Sequence, residues 1–310
     1  MFRLALIDPL TLLGRETATA LAQNPNLELG FFHSSDDDEH QIAQVAGRPE
    51  LVPPLSNAGD LEEFDAIVLA AEVEGARLEH LDRVLENRAD VPFLDMSPSH
   101  RYRHLTSVAL DHHALASSGP RLHLAHPSLV VASLFLEALR PFEPTHATIA
   151  ATDPISVLGL GAVEALARQA AQRLQGEEVT QRIADQVFAF NMAAHPAGYL
   201  ERDSLHLFPE VGIAATFTMS GCFHGHLVHL GLWLEQPTTA DDVVADCERS
   251  GAILTSPFPL NLDAIGDANG ILMAPPSVSA DGRSVLIQAM VDGTRVGGAL
   301  TAAEIVRGMW

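Results

Sequence analysis

The chain has 310 residues and a mass of 33.2 kDa, and 47% of its residues are hydrophobic, which is enough for two domains with buried cores. It carries 40 acidic residues against 18 basic ones, all of them arginine, for a net charge of −22. This charge excludes sequence-independent nucleic-acid binding, which needs a cationic surface to displace counterions. The acidic excess suits a surface that stays soluble at high salt. A GC-rich genome that replaces lysine with arginine explains part of this composition equally well.

The first residues, MFRLALID, lack the apolar stretch and cleavage site of a signal peptide. No run approaches the roughly 20 apolar residues of a membrane span, so we expect a cytoplasmic protein without a membrane partner. Only two cysteines occur, Cys222 and Cys247, and both are expected to be buried small residues. Neither a disulfide framework nor a thiolate zinc site is therefore predicted.

Short apolar runs alternate with helix-like stretches in the first third of the chain. The predicted strands cover residues 4–7, 27–32, 66–71, 91–94 and 122–125, and the predicted helices cover 14–21, 40–46 and 76–85. Strand and helix in alternation indicate a parallel, doubly wound sheet. The acidic run at 36–39 follows the second strand and is predicted to be a solvated loop.

The pattern changes after residue 145. The predicted strands there cover 145–152, 213–219, 226–235 and 285–292, and the predicted helices cover 163–176, 241–249 and 297–309. Several of these strands alternate apolar and polar positions, which suits a sheet covered on one face. The sequence therefore predicts an α/β fold, in which a Rossmann-like domain is followed by an α+β domain with a mixed sheet.

Six short segments, in order, carry a family resemblance. They are LDMSPSHR (94–101), HPS with the helix after it (126–142), ISVLGLG with the next helix start (155–164), AFN (189–191), GH (225–226) and DGTRVGGAL (292–300). They resemble the aspartate-semialdehyde dehydrogenases, and more closely the Usg-like paralogues that lack the catalytic cysteine. The resemblance implies a Rossmann-like domain over 1–126, completed by a C-terminal helix over 296–310. It also implies a substrate and dimerisation domain over 127–295, and hence a homodimer.

The turn after the first strand departs from the family pattern G-x-x-G-x-x-G, because its three positions are Asp8, Thr11 and Gly14. Glycines let the backbone approach a pyrophosphate at the helix N-terminus, whereas a carboxylate has the wrong sign for that ligand. Pro9 also removes an amide donor. Two interpretations stay open: Asp8 and Thr11 cap the helix, or they form an unusual cofactor loop together with Leu12 and Gly14.

The resemblance implies NADP as the cofactor. Ser34 and Ser35 are the hydroxyls available for its 2′-phosphate, and Ser156 and Gly159 complete the implied cofactor-binding set. The acidic run at 36–39 argues against this phosphate, because a carboxylate repels it.

The resemblance also places the family's nucleophile, a cysteine thiolate, within residues 126–130. Ser128 lies at or beside that position, and His226 lies at the position of the general base. A serine hydroxyl is a far weaker nucleophile unless a base activates it. His226 is therefore either the partner of Ser128 or an ordinary strand histidine. Arg101 corresponds to the arginine that binds the substrate's phosphate, and Arg295 is a second possible anion contact.

Fifteen histidines raise the question of a metal site. His224 and His226 are expected on one face of a strand, and four more histidines lie close together in the sequence: His112, His113, His123 and His126. No HExxH motif or third ligand at a diagnostic spacing accompanies them, so no metal site is predicted.

Two functions remain open on the sequence. The first is a catalytically silent homologue that acts by binding another protein or a small anion. The second is a working NADP-dependent semialdehyde dehydrogenase of aspartate-family amino-acid biosynthesis. The silent homologue predicts no saturable cofactor binding and no effect of Ser128→Ala beyond stability. The enzyme predicts saturable cofactor binding and an effect of Ser128→Ala beyond stability.

Overall fold

The computed structural model describes residues 1–56, 58–97, 102, 105–108, 120–194, 207–257, 259–265 and 270–308. The chain divides into two compact units, one of Met1–Ala125 with Gly298–Trp310 and the other of His126–Gly297. None of the helices in the described ranges has the length and apolar character that a membrane crossing requires. Each unit is built on a β-sheet of its own.

The first unit contains a six-stranded sheet in which every pairing is parallel. Its strands are β1 (Phe2–Ile7), β2 (Leu27–Phe32), β5 (Ala66–Leu69), β6 (Phe93–Asp95), β7 (Thr106–Val108) and β8 (Arg121–Leu124). Between β2 and β5, β3 (Gln41–Val45) and β4 (Arg48–Val52) form a separate hairpin. The sheet order is β2-β1-β5-β6-β8-β7. All four residues of β5 are buried, as expected of a central strand that is covered on both faces.

Helices α1 (Leu12–Leu21) and α2 (Gly75–Asn87) pack beside this sheet. The buried residues of α1 fall at the helical spacing of one face: Gly14, Thr17, Ala18 and Leu21. The acidic residues 36–39 are exposed after β2.

The helix predicted over residues 40–46 is wrong. This segment forms an antiparallel hairpin of β3 and β4, in which Val45 pairs with Arg48. The two turn residues, Ala46 and Gly47, have φ angles of 48° and 79°. Positive φ at both positions is what a two-residue hairpin turn with the right twist requires. Because one of these positions is an alanine, the usual Asn-Gly or Asp-Gly signal was missing.

The second unit contains an eight-stranded mixed sheet. Its strands are β9 (Pro144–Asp153), β10 (Met192–Ala194), β11 (Gly212–Ser220), β12 (His226–Leu234), β13 (Ile253–Thr255), β14 (Ile271–Met273), β15 (Ser277–Val278) and β16 (Ser284–Val291). The order is β10-β11-β9-β12-β16-β14-β13, with β15 paired to β16. β9 runs parallel to β11 and antiparallel to β12. The parallel sheet of the first unit and this mixed sheet confirm the predicted fold class.

Several helices of the second unit pack on or beside this sheet. They include α3 (Pro127–Ala138), α4 (Leu160–Gln175), α5 (Ala240–Glu248) and α6 (Leu262–Ile265). α3 contacts β9 and β12, where inward-facing residues such as Ile149 and Leu230 are buried. α4 ends next to Gly176, where the sequence predicts its end, and this glycine forms a left-handed cap with a φ of 74°.

The chain closes with a π-helical turn, Arg295–Leu300, and a short helix α7 (Thr301–Arg307). Ala302, Ile305 and Val306 of α7 are buried, and the helix packs on α1 within the first unit. The last segment of the chain therefore belongs to the unit that begins with β1.

Candidate functional site

The turn after β1 is held by Asp8. This residue has a φ of 64°, in the left-handed region that favours glycine, asparagine and aspartate. Its carboxylate accepts two hydrogen bonds from Ser34, from the amide at 2.8 Å and from the hydroxyl at 2.6 Å. Asp8 is only 8% exposed. It therefore ties the end of β1 to the residues after β2 and does not cap the helix.

Thr11 is the residue that caps α1. Its Oγ accepts a hydrogen bond from the Gly14 amide at 3.0 Å and donates one to the Asp8 carbonyl at 3.1 Å. A threonine in this position satisfies one of the unpaired amides at a helix start. Leu12 follows as the first residue of the helix.

Gly14 is required by close packing. A Cβ at this position would lie 2.0 Å from the Asp8 carbonyl oxygen and 2.9 Å from the Pro9 Cα. Both are backbone atoms, so no side-chain movement could relieve the contact. In a Rossmann turn the third glycine serves helix–strand packing, and the glycine retained here has that role.

The two hydroxyls expected to meet a 2′-phosphate are engaged within the protein. Ser34 donates to Asp8, and the Ser35 Oγ lies 2.8 Å from His33 Nδ1. A dinucleotide would need to break the Ser34 bonds and place its phosphates beside a carboxylate. The residues of this turn do not fit such a ligand.

Burial raises the pKa of Asp8 above its ordinary value, against the opposing effect of the two Ser34 hydrogen bonds. A carboxyl group with a raised pKa binds more protons in the folded state than in the unfolded state. The stability that it contributes therefore falls as the pH rises through the window between its ordinary pKa and its folded pKa. Above its folded pKa the group is ionised, and the folded protein then bears the cost of this buried charge.

We expect Asp8→Asn to raise the free energy of unfolding at neutral pH by about 0.5–1 kcal/mol, because asparagine removes the buried charge and tolerates the left-handed backbone. Chemical denaturation of both proteins at neutral and mildly acidic pH measures the difference, which should shrink as Asp8 becomes protonated. Asp8→Ala is the control, since it removes the charge but also the acceptor for Ser34, and it should be less stable than the wild type. This account would be contradicted if the free energy of unfolding of Asp8→Asn, measured relative to the wild type, were lower at neutral pH than in acid.

A second polar cluster lies in the second unit, where α3 begins. His126 is the N-cap of α3, and its Nδ1 accepts a hydrogen bond from the Ser128 amide at 3.3 Å. Pro127 occupies the first helical position, where the missing N–H costs nothing. The Ser128 hydroxyl donates to Asp153 Oδ1 at 2.6 Å. Ser128 and Asp153 are both 0% exposed.

Two imidazoles flank the Asp153 carboxylate. His126 Nε2 lies 3.9 Å from Asp153 Oδ2, and His226 Nε2 lies 3.8 Å from Asp153 Oδ1. The two imidazole rings are arranged edge to face, and their centroids are 5.9 Å apart. The strand register explains why His226 lies near Asp153, because β12 runs antiparallel beside β9 and Leu227 pairs with Thr152. The first residue of one strand therefore lies beside the last residue of the other.

The structure brings Ser128 and His226 to one carboxylate, but the hydroxyl donates to Asp153 and not to the imidazole. A serine hydroxyl has one proton, and in this arrangement it points to the carboxylate and not to His226. Asp153 was not predicted from the sequence, and no role of its own was predicted for His126. The one available signal was a buried strand that ends in an aspartate, immediately before Pro154.

Three of the other predicted site residues lie in turns or at helix starts of the second unit. Ser156 belongs to the 3-10 turn Ile155–Leu158, and its amide donates to the Phe223 carbonyl at 3.2 Å. Gly159, with a φ of 87°, precedes α4. Arg295 is half-buried at the start of the π-helical turn. Arg101 lies outside the described residues.

Those grouped histidines that the structure describes do not form the clusters expected from the sequence. His224 is exposed before β12, and Gly225 turns the chain with a φ of 91°, so the expected shared strand face for His224 and His226 is wrong. His123 bonds to the buried Asp95 of the first unit, at 2.9 Å. His112 and His113 lie outside the described residues.

The two cysteines lie in different elements of the second unit. Cys247 is buried in α5, and burial raises the pKa of its thiol to about 12, so it stays protonated at neutral pH. Cys222 is half-buried in the connection between β11 and β12, where its carbonyl accepts from the Ile155 amide.

No protein-family model and no curated protein matches this chain. Solved structures do match, and they define a class: the fold is the two-domain fold of aspartate-semialdehyde dehydrogenases. A probable aspartate-semialdehyde dehydrogenase from Pseudomonas aeruginosa matches with a TM-score of 0.84 and 18% identity, over 99% of this chain and 97% of that one. Aspartate semialdehyde dehydrogenase II from Vibrio cholerae, complexed with ASA, matches with a TM-score of 0.82 and 17% identity, over 100% and 98% of the two chains. The enzyme from Francisella tularensis matches with a TM-score of 0.79 and 12% identity, over 99% of each chain.

Proposed function

We infer that this protein is a non-catalytic relative of the aspartate-semialdehyde dehydrogenases, of the Usg-like kind, that acts by binding and not by NADP-dependent oxidation. One observation carries the inference. The packing glycine of the phosphate turn, Gly14, is retained, whereas the two positions that would admit a pyrophosphate hold Asp8 and Thr11. Asp8 and Thr11 are instead used to fasten the turn.

The nucleophile position supports the same inference. The family's chemistry, as the resemblance implies it, needs a thiolate that attacks an aldehyde and later leaves from the acyl intermediate. Ser128 offers a buried hydroxyl whose proton is held by Asp153. An ester formed there would be a poorer acyl donor than a thioester, so the serine replaces neither property of the thiolate.

The alternative is an active NADP-dependent dehydrogenase of aspartate-family amino-acid biosynthesis. It is favoured by the proximity of Ser128, Asp153 and His226. Ser128 would be the nucleophile and His226 its base, with Asp153 between them, if the Ser128 hydroxyl turned its hydrogen bond from Asp153 to His226. Arg101 and Arg295 would then bind the anionic groups of the substrate. The cytoplasmic location inferred from the sequence stays a prediction under either function.

Calorimetric titration of NADP and of NAD into the purified protein, at low and at molar salt, tests the proposal. We expect no saturable heat at millimolar cofactor from protein that circular dichroism shows to be folded. The double variant Asp8→Gly, Thr11→Gly is the matched control, because binding that appears only in this variant would locate the block in these two residues. Saturable binding to the wild type in the micromolar range would instead support the dehydrogenase.

We further propose a homodimer that forms through the outer face of the second sheet. Four positions on each of β9, β11, β12 and β16 point to this face, as the strand registers show. The four rows across the strands are Thr218-Thr152-Leu227-Met290, Thr216-Ala150-His229-Gln288, Ala214-Thr148-Gly231-Leu286 and Gly212-His146-Trp233-Ser284. None of these positions holds an acidic residue or an arginine, on a chain with a net charge of −22.

This composition is unusual for a surface that faces water. Trp233 is 46% exposed and Leu286 is 54% exposed in the isolated chain. Depletion of charge together with exposed aromatic and aliphatic side chains marks a protein interface. A second copy of the chain presents the same uncharged face, so the two copies can pack there without burying a charge.

A further inference from the structure

We propose that His126, Asp153 and His226 form a binding site for one divalent first-row transition-metal ion, with Zn²⁺ as the type case. One ligand atom from each residue lies within 4.8 Å of the other two. This proposal is independent of the proposed function, since it concerns neither NADP nor the chemistry of an aldehyde.

The separations are somewhat longer than those that a metal ion imposes. His226 Nε2 lies 3.8 Å from Asp153 Oδ1, and His126 Nε2 lies 3.9 Å from Asp153 Oδ2. A Zn²⁺ ion binds nitrogen and oxygen ligands at ~2.0–2.1 Å, which puts neighbouring ligand atoms of a tetrahedron roughly 3.3 Å apart. Small changes in side-chain torsions are sufficient to close the three ligands around an ion.

The donor set selects the kind of ion. Two imidazole nitrogens and one carboxylate suit Zn²⁺, Co²⁺, Ni²⁺ and Fe²⁺, whereas Mg²⁺ and Ca²⁺ prefer oxygen ligands alone. The side chains of Asp153, His226 and His126 are 0%, 2% and 8% exposed. Burial removes competing water, and a doubly charged ion beside one carboxylate gains more from that carboxylate than it would at the surface. Three protein ligands leave a fourth position for water or another small ligand.

Neighbouring groups hold the three ligands in place. The Ser128 hydroxyl donates to Asp153 and fixes the carboxylate, as second-shell groups do around metal ligands. Gly293 makes room for the His226 ring, because a Cβ there would lie 2.2 Å from its Cε1. Pro127 lies between His126 and the serine and fixes the start of α3. The imidazoles and the carboxylate are therefore preorganised by the fold.

Binding through His126 Nε2 has one cost. It places the ring proton on Nδ1, where the imidazole now accepts the 3.3 Å hydrogen bond from the Ser128 amide. Metal binding therefore breaks the long hydrogen bond from the Ser128 amide and forms bonds from the ion to three ligands. The exchange favours the ion.

The test uses the full-length protein, freed of metal with a chelator and kept in excess Mg²⁺ to occupy the acidic surface. We expect calorimetry with Zn²⁺ to show one tight equivalent per chain. Co²⁺ should give the intense visible absorption of a four- or five-coordinate ion with nitrogen ligands. Only weak binding, or the faint spectrum of six-coordinate Co²⁺, would overturn the proposal without any variant.

Variants assign the ligands. His226→Gln and Asp153→Asn should weaken Zn²⁺ binding by about a hundredfold or more, since each removes a direct ligand and even second-shell changes cost 10–100-fold. His224→Gln is the matched control, because that histidine is exposed and only two residues away in the sequence. It should bind Zn²⁺ like the wild type. Equal affinity in all four proteins would place the ion elsewhere and overturn the assignment. The Co²⁺ spectrum of the wild type decides the matter if a ligand variant fails to fold.

Discussion

Gly14→Ala is expected to lower the free energy of unfolding by about 3 kcal/mol or more, because it overpacks a contact between backbone atoms. The new Cβ would stand 2.0 Å from the carbonyl oxygen of Asp8, well inside any tolerated contact. That oxygen cannot move cheaply, because Asp8 is held by Ser34 and its own amide donates to the Phe32 carbonyl at 2.7 Å. Relief requires the start of α1 to move away from β1. Thermal and urea denaturation of the variant measure the loss.

Gly161→Ala is the control for helix propensity. Gly161 also lies in the first turn of a helix, α4, but nothing lies within 4 Å of the Cβ that it would gain. Alanine there should stabilise the protein by about 0.5–1 kcal/mol, through its higher helix propensity and the reduced entropy of the unfolded chain. If both variants behaved alike, the close approach of Asp8 to α1 would be refuted.

This pair of glycines also bears on function. A turn kept for binding a pyrophosphate would conserve the glycines that approach the ligand, and a turn kept for the fold needs only the one that packs. The chain has Asp8 and Thr11 at the first two positions where the resemblance implies glycine, and Gly14 at the third. A large loss of stability in Gly14→Ala would show that the remaining glycine has a structural role that is sufficient to explain its presence.

Local patterns predicted most of the architecture. Apolar runs located β1, β2 and β5, and the helical spacing of apolar residues located α4, because these signals depend on neighbours in the sequence. The hairpin of β3 and β4 was missed because its turn uses Ala46 at a positive φ, which no composition rule marks. The solved structures confirm the fold that the family motifs implied.

The candidate site was only half predictable. Ser128 and His226 were found by resemblance, but Asp153, which joins them, was not. Its role depends on the register of β9 against β12, which is set by contacts between residues far apart in the chain. For the same reason the sequence contained no metal-ligand spacing, since His126, Asp153 and His226 come from three separate elements. The link between Asp8 and Ser34 also needed the pairing of β1 with β2.

The wild-type protein is expected to be a dimer, with a mass in solution of twice the 33.2 kDa of the chain. Trp233 is the side chain on the uncharged sheet face with the greatest contact area to offer, and it borders a shallow groove of about 690 Å³ beside His146 and Ile213. Tryptophan residues are frequent anchors of interface energy. Two copies related by a twofold axis would each place this ring in the same interface.

Trp233→Glu should therefore dissociate the dimer. The change removes two anchors and buries two unpaired carboxylates, at a combined cost of at least about 4 kcal/mol, which weakens association roughly a thousandfold. Light scattering at micromolar concentration should show a folded monomer. Ile42→Glu is the matched control, because Ile42 is 65% exposed on the β3 strand of the first unit, is not one of the sixteen positions of the sheet face, and gains the same charge. A wild-type monomer, or a Trp233→Glu dimer as tight as the Ile42→Glu one, would show that the uncharged face has another purpose.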